Sequence, residues 1–66
     1  MWINTTRTEE MRQHLEAEFA MHLAVEQRFP RHPNGTMTYR AYKTNVESDC
    51  IEGENYLDLR SKIRKL

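Results

Sequence analysis

The chain has 66 residues, ten Lys plus Arg against ten Asp plus Glu, and a single cysteine. That length allows one domain (1–66) and excludes a multi-domain enzyme, and the zero net charge excludes the strongly basic profile of a dedicated duplex-DNA binder. A chain this short buries only about 60% of the surface its unfolded form exposes, and the lone Cys50 rules out an intramolecular disulfide staple. Apolar and aromatic residues are nevertheless spread along the whole length, which argues for a folded chain.

The first predicted element is an amphipathic helix over about residues 7–29. Thr6-Arg7-Thr8-Glu9 matches a capping box, with Trp2 or Ile3 placed to pack on the first turn. Met11, Leu15, Phe19, Leu23, Val25 and Phe29 fall in one stripe at about 100° per residue. Pro30 ends the helix and Pro33-Asn34-Gly35 supplies a turn. A helix of that length is hard for one partner helix to cover, which favours a homodimer.

The middle segment fits two templates. Met37, Tyr39 and Ala41 alternate as in a strand, which would pair with Val46–Ile51 across a turn at Thr44-Asn45. Tyr39, Tyr42, Val46 and Cys50 instead recur at helical spacing, with Thr36 as N-cap and Gly53 as C-cap. The helical template accounts for more residues and is preferred over about 36–51. The last element is a helix over about 55–65, capped by Asn55, with Tyr56, Leu59, Ile63 and Leu66 on one face and Arg60, Lys62, Arg64 and Lys65 near its C-terminus. The expected architecture is mainly α, a small three-helix domain with a long first helix. The alternative is an α+β, αββα layout with a hairpin at about 36–51.

No segment reaches the roughly 18 apolar residues of a membrane span, and the N-terminus lacks the apolar core of a signal peptide. With one unpaired cysteine, the expected location is the cytoplasm. The initiator methionine suggests a complete small gene product, of the kind common among phage and accessory proteins, an argument from size alone.

Candidate chemistry is sparse, and no enzyme is expected. His14, Glu18 and His22 lie four apart, but the outer pair of such a row is about 12 Å apart along a helix. Zinc would need further ligands from His32 or Cys50, so no metal and no cofactor is expected. His22 falls inside the apolar stripe and reads as a core or interface residue bonded to Glu18 or Glu26, so that acidification would weaken an interface containing it. Cys50 stands among Glu47, Asp49 and Glu52, which disfavours a reactive thiolate; it reads as a small buried or half-buried side chain. The two glycines, Gly35 and Gly53, make no phosphate loop.

The charges are segregated. Glu47, Asp49, Glu52, Glu54 and Asp58 precede Arg60, Lys62, Arg64 and Lys65. The first expectation is a small protein-binding protein, an adaptor or inhibitor that occupies a partner's surface through Trp2, His22 and the carboxylates of Glu47, Asp49, Glu52 and Glu54. Trp2 also fits a residue closing the end of a small core. The second expectation is nucleic-acid association through Arg60, Lys62, Arg64 and Lys65, with Tyr39, Tyr42 and Arg40 available for stacking.

Overall fold

The structure, a computed structural model, describes every residue except Ser48. It is α+β, not mainly α. In chain order it contains α1 (Thr6–Phe19), β1 (Leu23–Arg28), β2 (Thr38–Lys43), β3 (Ile51–Gly53) and α2 (Tyr56–Ile63). The strands form one antiparallel sheet in the order β1-β2-β3. The N-terminal segment adds to the outer edge of β1 through an isolated antiparallel bridge between Ile3 and Gln27.

The long first helix is the main correction. Its start is capped one residue earlier than the sequence suggested. Thr5 is the N-cap, its hydroxyl accepts from the Thr8 N–H, and the Thr8 hydroxyl accepts from the Thr5 N–H. Trp2 and Ile3 run along the sheet edge and do not staple the helix. Thr8, Met11 and Leu15 are buried, the 3–4 spacing expected of one helical face. After Phe19 the chain leaves the helix, because Ala20 adopts left-handed backbone (φ 53°, ψ 45°) and its N–H bonds to the Glu16 carbonyl. Three residues later Leu23, Val25 and Gln27 alternate inward as a strand. Leu23 and Val25 fit the helical stripe as well as this alternation, which is why the sequence reads as a longer helix. Phe29, the stripe's last member, is 59% exposed.

The middle segment is also strand and not helix. β2 pairs with β1 along its whole length, and then with β3 after the loop spanning 44–50. The αββα alternative therefore comes closer, but it lacks β1, and it pairs β2 with Val46–Ile51 where the partner is Ile51–Gly53. Val46 is exposed. Gly53 is no helix cap: a Cβ there would sit 3.0 Å from both Asp58 Oδ2 and the Leu59 nitrogen, so glycine lets the start of α2 approach β3. The Asn55 cap is present, its side chain accepting from the Asp58 N–H at 2.9 Å.

Both helices cover the same face of the sheet. The core joins Met11 and Leu15 of α1, Leu59 and Ile63 of α2, and Leu23, Val25, Tyr39 and Ala41 of the sheet. Gln27 is the buried polar member. It accepts from the Thr5 hydroxyl at 2.9 Å and donates toward Met37 Sδ at 3.8 Å, tying the helix cap to the sheet. Among the described residues, no buried side-chain nitrogen or oxygen lacks a partner.

Two stability predictions follow from the α1–β1 corner. Left-handed backbone costs a non-glycine residue about 1–2 kcal/mol, part of which glycine's extra unfolded-state entropy cancels. Ala20→Gly should therefore stabilise the protein by about 0.5–1 kcal/mol in urea unfolding; a loss of stability would contradict the assigned turn. Across the same corner, the Leu23 N–H donates to Glu16 Oε2 at 2.8 Å. That bond, aided by Arg12, holds the Glu16 carboxyl below its ordinary value of 4.5. A depressed carboxyl stabilises the fold above its ordinary value and loses that contribution as pH falls through its folded value. Stability should thus decline below about pH 4.5, and Glu16→Gln should cost about 1 kcal/mol at neutral pH while flattening the acid limb. Urea midpoints measured from pH 7 to 3 check both statements.

Candidate functional site

Strand alternation decides what lies opposite the helices. With Leu23, Val25, Gln27, Tyr39 and Ala41 directed into the core, the intervening residues share the other face. These are Ala24, Glu26 and Arg28 on β1, Thr38, Arg40 and Tyr42 on β2, and Glu52 on β3. No helix packs on this face among the described residues. Because Ile3 pairs with the inward-facing Gln27, its neighbour Trp2 falls on the open side.

Trp2 and arginine side chains form the centre of that face. The Arg40 guanidinium lies 4.5 Å from the Trp2 ring centroid and the Arg28 guanidinium 4.7 Å from it. Arg40 also lies 5.7 Å from the Tyr42 ring. Its Nε donates to Glu26 Oε1 at 2.8 Å, so the charge at the centre is already neutralised. In register, Glu52 stands directly opposite Arg40 on the far side. The result is a platform of stacked planar groups, half-buried at Trp2, Arg40 and Tyr42 and exposed at Arg28, its charges balanced between Glu26, Glu52, Arg28 and Arg40. Toward one end, Met1, Arg28, Phe29 and Arg31 line an open cleft.

The residues singled out in the sequence are dispersed. Trp2 is outside the core cluster and does not close the core. His22 is exposed and precedes β1, so it is no core histidine; the Thr44 N–H donates to its carbonyl at 3.0 Å. Glu47, Asp49, Glu52 and Glu54 are all exposed, in the β2–β3 loop and along the sheet edge formed by β3. Cys50 is exposed, not buried. Tyr39 belongs to the core, while Tyr42 and Arg40 lie on the open face. Of the basic group, Arg60 pairs with Glu18 of α1 at 2.7 Å, and Lys62 contacts Asp58 Oδ2 at 3.3 Å and the Glu52 carbonyl at 2.9 Å. Arg64 caps α2, and Lys65 follows it, both exposed. His14 lines a groove with Arg7, Glu10, Met11 and Tyr56, separate from His22 and Cys50. Among the described residues, no three His, Cys, Asp or Glu side chains cluster as a metal site. Sequence reasoning missed Arg28 and the union of Trp2, Arg28, Arg40 and Tyr42. The available signal was the two-residue spacing of Glu26 with Arg28, and of Arg40 with Tyr42.

The fold and the site together define a two-layer α+β protein with an aromatic and arginine-bearing open sheet face. The chain matches no family model, no curated protein and no solved structure. Among the described residues, no helix is long and apolar enough to cross a membrane.

Since Trp2 packs on arginines and not in the core, Trp2→Ala should cost about 1–2 kcal/mol in urea unfolding, against the 3–5 kcal/mol typical of a core aromatic. A loss in the upper range would return Trp2 to the core.

Proposed function

We propose that this chain is a non-enzymatic protein-binding protein, an adaptor or inhibitor, whose docking surface is the open face of the sheet. The observation carrying this reading is the stacking of Arg28 and Arg40 on Trp2, beside Tyr42. Trp, Tyr and Arg dominate the energetics of protein interfaces because each offers a large, partly apolar contact with directed hydrogen bonds. Here they meet on one uncovered surface. Glu52 on the face itself, with the exposed carboxylates of Glu47 and Asp49 in the β2–β3 loop and of Glu54 after β3, supplies charge that steers a partner and excludes wrong ones.

The nucleic-acid reading has weaker support. Affinity for phosphates rests on cations that release bound counterions. Arg40 is engaged with Glu26, Arg60 with Glu18 and Lys62 with Asp58. Those internal pairs compete with phosphate. The cytoplasm is the proposed location, since an exposed lone thiol suits a reducing compartment.

The test is capture by the tagged protein from native-host lysate, with and without nuclease, read by mass spectrometry. One protein recovered in near-stoichiometric amount after nuclease is expected. Trp2→Ala should reduce its recovery at least about tenfold, while replacing Arg60, Lys62, Arg64 and Lys65 by Gln leaves it unchanged. Recovery that disappears with nuclease, or with the four Gln substitutions, would establish nucleic acid as the partner instead.

A further inference from the structure

At the end of the sheet, Met1, Arg28, Phe29, Pro30, Arg31 and Thr38 line a cleft of about 440 Å³, a size that small organic ligands occupy. The register sets Thr38 directly opposite Arg28, and strand alternation turns both toward the open face. Arg31 reaches the same cleft from the connection between β1 and β2, which is drawn tight on itself. The Gly35 N–H donates to the His32 carbonyl at 2.9 Å, and a Cβ at Gly35 would stand 2.6 Å from Pro30 Cβ. Glycine is what lets the connection close on Pro30.

The charge in this cleft is uncompensated. Arg12, Arg40 and Arg60 each pair with a carboxylate. Among the described residues, Arg7, Arg28, Arg31 and Arg64 make no ion pair. Arg7 lines a groove together with Glu10, and Arg64 is exposed at the end of α2. Arg28 and Arg31 line one cleft, and no carboxylate lines it with them. Glu52, Glu54 and Asp58 line a neighbouring depression that Arg28 and Thr38 also border, and Lys62 stands among them there. The Trp2 ring engages the flat face of the Arg28 guanidinium at 4.7 Å, which leaves its in-plane N–H donors for another partner. Phe29, 59% exposed, and the Pro30 ring add an apolar wall.

We propose that this cleft binds a small organic phosphate monoester. Two guanidinium groups match a dianion in charge, and each offers paired N–H donors to its oxygens. The Thr38 hydroxyl supplies a further donor. The organic group of the ester lies against Phe29 and Pro30, which gives the exposed ring a partner. A carboxylate would meet only half of the charge, and inorganic phosphate would leave the apolar wall uncovered. The site goes beyond the docking reading, since it lies at the end of the open face and shares only Arg28 with the stack on Trp2.

The experiment titrates the full chain with phenyl phosphate, inorganic phosphate and benzoate at constant ionic strength, by calorimetry and by tryptophan fluorescence. Trp2 is the only tryptophan and stacks on Arg28, so its emission reports an anion arriving there. Phenyl phosphate should bind one to one with a dissociation constant below about 1 mM. It should bind about tenfold tighter than inorganic phosphate, from the apolar area covered at Phe29, and about tenfold tighter than benzoate, from the second charge. Arg28→Gln and Arg31→Gln should each weaken it at least about tenfold. Phe29→Ala should remove its advantage over inorganic phosphate, and Arg64→Gln should change nothing. Circular dichroism checks the fold of each variant, and Arg31→Gln leaves the stack on Trp2 in place. Phenyl phosphate that fails to saturate, that binds no tighter than inorganic phosphate or benzoate, or that ignores Arg31→Gln overturns the proposal. A phosphotyrosine peptide binding at least about tenfold tighter than phenyl phosphate overturns the free ligand in favour of a phosphorylated chain. None of these results depends on the capture of another protein by the open face.

Discussion

The fold turns on the reversal at Ala20. A helix that continued through residues 20–29 would carry Leu23, Val25 and Phe29 along one stripe, and there would be no β1 for the rest of the sheet to pair with. The chain instead leaves the helix through left-handed backbone at a residue with a Cβ, at a cost of about 1–2 kcal/mol. The Ala20 N–H bonds back to the Glu16 carbonyl, and the Glu16 carboxylate reaches forward to the Leu23 N–H. One residue thus holds both sides of the corner, and its charge is itself fixed by Arg12. At the far end of β1, Gln27 reaches back to the Thr5 hydroxyl at the N-cap of α1. Helix and strand are therefore pinned together at both ends, across the core formed by Met11, Leu15, Leu23 and Val25.

Once β1 is placed, strand parity organises everything else. Each strand residue has only two directions available, so committing Leu23, Val25 and Gln27 to the core commits Ala24, Glu26 and Arg28 to the opposite face. The register with β2 then brings Arg40 beside Glu26 and leaves Tyr42 opposite Ala24. Trp2 joins them because Ile3 pairs with Gln27. No residue of the open face was placed by a local motif. Its composition is the remainder left by the core.

This explains which parts were legible in the sequence. The start of α1 and the whole of α2 are written locally, in hydroxyl or Asn caps and in the spacing of Met11 with Leu15 and of Leu59 with Ile63. The end of α1 is not, because neither glycine nor proline marks it. In the middle segment, Tyr39 and Tyr42 are compatible with one helical face, and only strand geometry separates them into a core residue and a surface one. Gly53 is suggestive of a helix end, but its role is to make room for Asp58 and Leu59. The acidic run and Trp2 were visible as candidates. Their relation to Arg28 and Arg40 required β1, the one strand absent from both sequence-based layouts.

The compensation of charge on the open face also bears on the docking proposed for it. Arg40 is held on three sides, by the Glu26 carboxylate and by the rings of Trp2 and Tyr42. An arginine in solution samples many rotamers and loses about 2 kcal/mol of side-chain entropy when fixed. Here most of that loss occurs on folding, so little of it remains to oppose association. Trp2 is likewise restrained by the two guanidinium groups packed on it. What the face presents is a set of planar groups already packed on one another, with Arg40 already bonded to Glu26. Such a surface gains its affinity from shape and from water displaced off the aromatic and methylene surfaces.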